Sequence, residues 1–360
     1  MSKPLVLTCD IGTQSARALL VDPDGRIVDV VQSKYAEPYF SKEPGWAEQK
    51  PDFYFDRLCE CCRELCARSN ALLPDVIAMT ITVIRDTVVC LDENNNPLRD
   101  IILWLDKRSV DPNGAMPAKN MMVFKLAGME PTAKVVYAAS AGNWIMRHEP
   151  EIWARTAKYV MLPTYLNYKL TGNLIDSASN QIGHIPFDYK NRRWMKPGSL
   201  TRCFCDVPNE KLCDLVPSGT VIGTITEEVC ALTGIPAGLP LISTGSDKGC
   251  ETLGLAVVDS DKASISLGTT ATIQFSTTQY VEPQQFLPAY PGVLNDHYNP
   301  EIEIYRGLWL LSWFVKEFGT ADAIDAKEMG MAPEALLDAR IRDLPAGSDG
   351  LLLQPYWTAG

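Results

Sequence analysis

The sequence carries an internal echo. Asp10-Ile-Gly-Thr-Gln-Ser15 and Ser266-Leu-Gly-Thr-Thr-Ala271 share one pattern, each follows a β-rich run, and they stand in opposite halves of a 360-residue chain. Each copy puts Gly-Thr in a turn between two strands. Glycine there lets the backbone approach a ligand closely, and the hydroxyl and amide groups of such a turn can hold phosphate oxygens. One Gly-Thr by itself reads as an ordinary hairpin turn. Two matched copies imply two related halves, with a phosphate clamped between two lobes.

The surrounding segments predict alternating strands and helices. Leu5 to Cys9 is a short apolar run, Ala18 to Val21 a second strand, Asp22-Pro-Asp-Gly25 a turn, and Arg26 to Tyr35 a third strand, which together make an antiparallel meander. Pro51 opens an amphipathic helix that runs to about Arg68. Val76 to Ile81 and Ile101 to Trp104 read as further strands, and Glu151 to Leu170 as one helix closed by Thr171-Gly172. Leu241-Ile-Ser-Thr-Gly-Ser-Asp247 reads as a strand entering a Gly-flanked turn, which sets the Asp247 carboxylate at a strand end. Alternatively, Asp247 caps a helix formed by Lys248 to Leu253. The alternation favours an α/β fold.

Several functions are excluded. Lys plus Arg total 33 against 44 Asp plus Glu, a net charge of -11 that repels a nucleic-acid backbone. No GxxxxGK[ST] occurs, no GxGxxG follows the first strand, and there is no GxSxG elbow. The first apolar run is too short for a signal peptide, so a cytoplasmic protein is expected. The longest uncharged stretches, 229–246 and 263–281, are interrupted by Gly and Pro or crowded with Ser and Thr, so no membrane span is expected. The 11 cysteines read as reduced thiols. Cys59, Cys61, Cys62 and Cys66 lie in a segment where Phe55, Leu58 and Leu65 follow helical spacing, which favours packing over zinc. Cys203 and Cys205 have no second pair, and His148, His184 and His297 are far apart, so no zinc site is assigned.

Asp10-Ile-Gly-Thr-Gln-Ser-Ala-Arg17, Trp104-Leu-Asp-Lys-Arg108, Lys169-Leu-Thr-Gly172, Gly245-Ser-Asp-Lys-Gly249 and Ser266-Leu-Gly-Thr-Thr270 occur in this order. In that order they resemble the FGGY carbohydrate kinases, which include xylulokinases, gluconokinases and glycerol kinases. The resemblance implies a ribonuclease H-like α/β fold, shared with actin and hexokinase, with two lobes about an interdomain cleft. Residues 1–254 would be the sugar-binding lobe and 255–360 part of the nucleotide-binding lobe. Leu351 to Gly360 resembles the middle of the family's second domain, so the second lobe is expected to be incomplete and no adenosine site is assigned.

By the same resemblance, Asp247 is the catalytic base that accepts the proton of the attacking sugar hydroxyl. Asp10, together with Asp247, would hold Mg²⁺ through water. Gly12, Thr13, Gln14, Ser15 and Arg17 match the first ATP-phosphate segment, and Gly268, Thr269 and Thr270 the second, on the opposite lobe. Trp104 and Asp106 belong to a W-x-D-x-R form seen in the sugar-kinase branches, and the resemblance implies that both bind substrate, Trp104 by packing an apolar face against it. Arg85-Asp86 stands where xylulokinases usually carry Met-His, and looks like the Arg-Glu pair with which glycerol kinases grip polyol hydroxyls. The plainer alternative is a local surface ion pair. The subfamily therefore stays open.

The expected activity is phosphorylation of a sugar or polyol hydroxyl by ATP and Mg²⁺. A catalytically impaired relative that binds sugar or nucleotide in a regulatory role is the alternative. An actin- or chaperone-like ATPase would share the phosphate turns but has no need of Trp104, Asp106 and Arg108. The expected partner is a small-molecule sugar or polyol, and a homodimer is compatible with this reading.

Overall fold

Leu5–Ile11 (β1), Ser15–Val21 (β2) and Ile27–Lys34 (β3) form the antiparallel meander. The architecture comes from a computed structural model that describes residues 3–352 apart from 268, 269, 286, 305, 306 and 308. Along β1 the side chains of Leu5, Leu7, Cys9 and Ile11 are buried while the intervening residues are partly open, the two-residue period of a strand. Asp10 therefore falls on the more open face. Gly25 sits at φ 77 in the predicted turn and donates its N–H to the Asp22 carbonyl at 2.9 Å.

β1 lies inside a six-stranded sheet ordered Val221–Thr224, Pro240–Ile242, Val76–Val83, β1, β2, β3. Pro240–Ile242, Val76–Val83 and β1 run parallel. Their C-terminal ends emerge at one edge, where open α/β sheets form ligand crevices. That edge delivers Asp10, Arg85 and Asp247. Helix Pro51–Arg68 (α1) packs over β2 and β3 through Tyr54, Phe55, Leu58 and Leu65. Its four cysteines are buried in the same interface, and burial pushes the Cys59 and Cys66 thiols up to about 12.

One predicted element is broken. In place of a helix over 151–170 the chain forms helix Pro150–Arg155, strand Lys158–Met161 and helix Leu162–Thr171. Tyr159, Val160 and Met161 pair antiparallel with Val88–Leu91, so bulky and β-branched side chains that fit a helical pattern are claimed by a neighbouring strand. Pro163 restarts the helix in its first turn, and Gly172 closes it at φ 82. The strand expected over 101–104 is confined to Ile101–Ile102, and Trp104 lies in the turn beyond it.

A second, three-stranded antiparallel sheet contains Ser264–Leu267, Ala271–Gln274 and Glu301–Ile304. Its two faces are unlike. Ser264, Thr272, Gln274 and Glu301 are buried, whereas Ile265, Leu267, Ile273, Ile302 and Ile304 are exposed. The polar face meets helix Asp247–Gly254, where Thr252 Oγ1 donates to Gln274 Oε1 at 2.6 Å and Lys248 Nζ donates to Ser266 Oγ at 2.6 Å. Leu267 pairs with Ala271 across the second echo, whose Gly268 and Thr269 lie outside the described residues. No helix among the described residues is long and apolar enough to cross a membrane.

Candidate functional site

The C-terminal edge of the large sheet faces the second sheet across a cleft of about 1040 Å³. Asp247 enters it from a braced loop. Thr82 Oγ1 donates to the Gly245 carbonyl at 3.1 Å, Thr244 Oγ1 to the Ile81 carbonyl, and Ser177 Oγ to the Thr244 carbonyl. Ser246, not Asp247, is the helix cap, its Oγ accepting the Gly249 N–H at 3.2 Å. Asp247 is the first helical residue, where the helix dipole favours a carboxylate. Its Oδ1 accepts the Lys248 N–H at 2.8 Å and lies 3.5 Å from Arg85 Nε. Burial pushes its carboxyl above the usual range, and Arg85 and Lys248 offset part of that rise. The side chain still keeps 27% of its surface open.

Arg85 does not pair with Asp86. Its Nη1 and Nη2 donate to the two oxygens of Glu301 at 3.2 and 3.0 Å, a bidentate bridge to the second sheet, and its guanidinium lies 5.4 Å from the Tyr290 ring centroid. Desolvation works against the charge of Arg85, but Glu301 and Asp247 outweigh it and hold the group firmly protonated. Asp86 turns the other way. At φ 45 it accepts the His184 N–H on Oδ1 at 2.9 Å and meets His184 Nδ1 with Oδ2 at 2.7 Å. Burial raises the Asp86 carboxyl, but His184 more than cancels this and leaves it below its ordinary value. Burial likewise lowers His184, and Asp86 reverses the sign to give a raised imidazole pKa. The local Arg85–Asp86 ion pair is thus replaced by two long-range pairs.

Trp104 Nε1 donates to Thr13 Oγ1 at 3.0 Å, and both side chains line the cleft. Asp106 does not line it. Its Oδ2 accepts the Ala47 N–H at 2.6 Å and Arg108 Nη2 at 2.8 Å, while Oδ1 accepts the Arg108 N–H and Nε at 2.8 and 2.9 Å. With both oxygens engaged and the side chain buried, Asp106 braces the turn that carries Trp104. Asp106, expected at the substrate, thus stands outside the cleft lining and reaches it only through Trp104.

Of the first echo only Thr13 reaches the cleft wall, and of the second Thr270 does. The Gly12 N–H donates to the Ser15 carbonyl at 3.0 Å and the Gln14 carbonyl accepts from Tyr35 N–H at 2.9 Å, so the backbone of the turn is tied into the meander. Ser15 is buried, its Oγ 3.3 Å from the Gln32 side-chain amide. Arg17 Nη1 donates to Asp10 Oδ2 at 2.6 Å, and both side chains are about one third exposed, neither lining the cleft. Sequence reasoning passed over His184, Tyr290, Glu301 and Glu303, all of which line the cleft. No local spacing could find them, because the partners of Asp86 and Arg85 are 98 and 216 residues away.

Residues 5–254 match the N-terminal domain of the FGGY family of carbohydrate kinases. The chain belongs to that family. This FGGY chain is 26% identical over 358 residues to the uncharacterized sugar kinase YgcE of Escherichia coli, covering 99% of this chain and 65% of that protein. It is 23% identical to the xylulose kinase of Bacillus subtilis, covering 98% of this chain and 67% of the relative. The chain therefore spans about two thirds of the length of these FGGY relatives. The gluconate kinase of Lactobacillus acidophilus superposes with a TM-score of 0.78 at 22% identity, over 99% of this chain and 69% of that one. The fold is the ribonuclease H-like α/β architecture of FGGY kinases.

Proposed function

We propose that this chain catalyses, or forms the acceptor-binding part of an enzyme that catalyses, transfer of the ATP γ-phosphoryl group to a hydroxyl of a sugar or polyol. The observation that carries the proposal is the placement of Asp247: a partly open carboxylate of raised pKa at the first turn of a helix, on the wall of a cleft flanked by Thr13 and Thr270. A carboxyl pushed upward is a better proton acceptor than an ordinary one, and it sits where a hydroxyl entering the cleft can reach it. Residues through 254 would bind the acceptor, and those from 255 would bring the second phosphate turn across the cleft.

The acceptor hydroxyl donates its proton to Asp247 Oδ as its oxygen attacks the γ-phosphorus, and ADP leaves with the bridging oxygen. Thr13 offers a hydroxyl donor to the phosphates from one wall, Thr270 would do so from the other by leaving the Glu303 carboxylate it now bonds, and Trp104 supplies an apolar face. Gly12, Gln14 and Ser15 shape the first turn, and Arg17 would leave Asp10 for a phosphate oxygen. Asp10 and Asp247 present oxygen donors at one sheet edge, the chemistry a hard cation takes, and would hold Mg²⁺ together with water and phosphate. Such an ion neutralises phosphate charge during transfer.

The test incubates the purified chain with ATP, Mg²⁺ and a panel of pentoses, ketoses and polyols and follows ADP release. Acceptor-dependent release that falls about a hundred- to ten-thousand-fold in Asp247→Asn, with acceptor binding retained, is the expected result. Binding without turnover that is indifferent to Asp247→Asn refutes the assigned base and favours a regulatory role.

A further inference from the structure

The charge lining the cleft is unequal. Among the described residues, Asp86, Asp188, Asp247, Glu282, Glu301 and Glu303 stand against Arg85, Lys190 and Lys248, with His184 as the one titratable imidazole. The two cations nearest Asp247 are already engaged. Lys248 Nζ is held by Glu251 at 3.0 Å and Ser266 at 2.6 Å. Arg85 has its fork closed by Glu301 and its Nε turned to Asp247. His184 is held by Asp86.

Glu301 itself is almost wholly buried, with 4% of its side chain open, and Gln274 Nε2 also donates to it. A carboxylate ligand could take the Nη1–Nη2 fork of the guanidinium only by displacing Glu301, which would leave a buried charge without its partner. A hydroxyl makes no such demand, since it donates to one group and accepts from another. Glu303 lies two residues along the same strand and on the same face, so a second carboxylate stands beside the first.

Resting on the carbohydrate kinase reading above, we propose that Glu301 sets the charge of the acceptor: by closing the guanidinium fork of Arg85 it makes the cleft take neutral polyols and sugars and reject sugar acids. Glu301 is a positioning residue, acting through Arg85. Freed of Glu301, the fork would bind a carboxylate bidentately.

The test measures binding of three matched pairs to the full chain by calorimetry: xylitol and D-xylonate, sorbitol and D-gluconate, glycerol and D-glycerate. The neutral member is expected to bind at least about ten-fold tighter in every pair that binds. In Glu301→Gln that ratio falls by about ten-fold or more, whereas Glu301→Asp, which keeps the charge, retains the wild-type preference. A wild-type chain that binds the acid as tightly as its neutral partner overturns the proposal and leaves the kinase reading intact. So does a Glu301→Gln variant with native near-ultraviolet circular dichroism and an unchanged ratio. If no member of any pair binds and none raises ADP release, the kinase reading fails and this proposal with it. Should Glu301→Gln not fold, the wild-type ratios decide.

Discussion

Gly183 joins the two halves of the acceptor end, and adding one methyl group there should be costly. Its φ of 149 is a conformation that L-residues rarely adopt, and a Cβ would sit 2.3 Å from Asp86 Oδ1 and 2.9 Å from Asp86 Cα. Forcing alanine into that backbone costs about 1–3 kcal/mol. Relieving the overlap by shifting packed groups costs about another 1–3 kcal/mol. If Asp86 yields, its bonds to His184 go too, which raises the total toward about 5 kcal/mol. Gly25→Ala provides the control. Gly25 also has positive φ, at 77, but nothing lies within 4 Å of its Cβ position, so only a backbone cost of about 1 kcal/mol is expected. Urea unfolding followed by tryptophan fluorescence measures both. With a slope of about 3 kcal/mol per molar, a gap of about 3 kcal/mol separates the two midpoints by about 1 M. Equal midpoints for the two variants would refute the close approach of the 182–184 segment to Asp86, and with it the geometry of the acceptor end.

Two pH profiles follow from the buried charges. His184 has a folded pKa raised above 6.5, so its pairing with Asp86 stabilises fully below that value and fades as pH rises through the folded pKa. His184→Gln should therefore cost about 1.5–3 kcal/mol near pH 6 and less at pH 9, and an equal penalty at both pH values contradicts the pair. Asp176 is fully buried and accepts from Thr164, Asn167, Ser177 N–H, Asn180 and Gln181, yet burial outweighs those donors and lifts its carboxyl to about 6. Its stability contribution is complete below about pH 4 and is lost as pH rises through about 6, a fall of about 3 kcal/mol. Asp176→Asn should flatten that part of the urea-midpoint profile, and an unchanged slope between pH 4 and 7 would contradict the assignment.

Much of the scaffold was written locally. The strand at Leu5 to Cys9, the Asp22 to Gly25 turn and the span of α1 depend on neighbours in sequence, and the structure keeps all three. The strand Lys158–Met161 was hidden because its residues also satisfy a helical pattern, and only Val88–Leu91 alongside them decides for β. The same limit governs the site. Trp104 and Thr13 were both singled out, but their hydrogen bond was not visible. Asp106 belonged to a recognisable motif, and its chemistry was reversed by Arg108 and the Ala47 N–H, which bury and satisfy it.

The sequence by itself determined which groups are available: two matched Gly-Thr segments, an aspartate after a strand, an arginine and an aspartate side by side. Tertiary structure decided how those charges are matched. Arg85 and Asp86 are adjacent in the chain, yet Arg85 turns to Glu301 and Asp86 to His184. Adjacent side chains on a surface would interact weakly through water. In the cleft an unmatched charge is expensive, so each group takes the partner that packing of the two sheets and the 182–184 segment brings within reach.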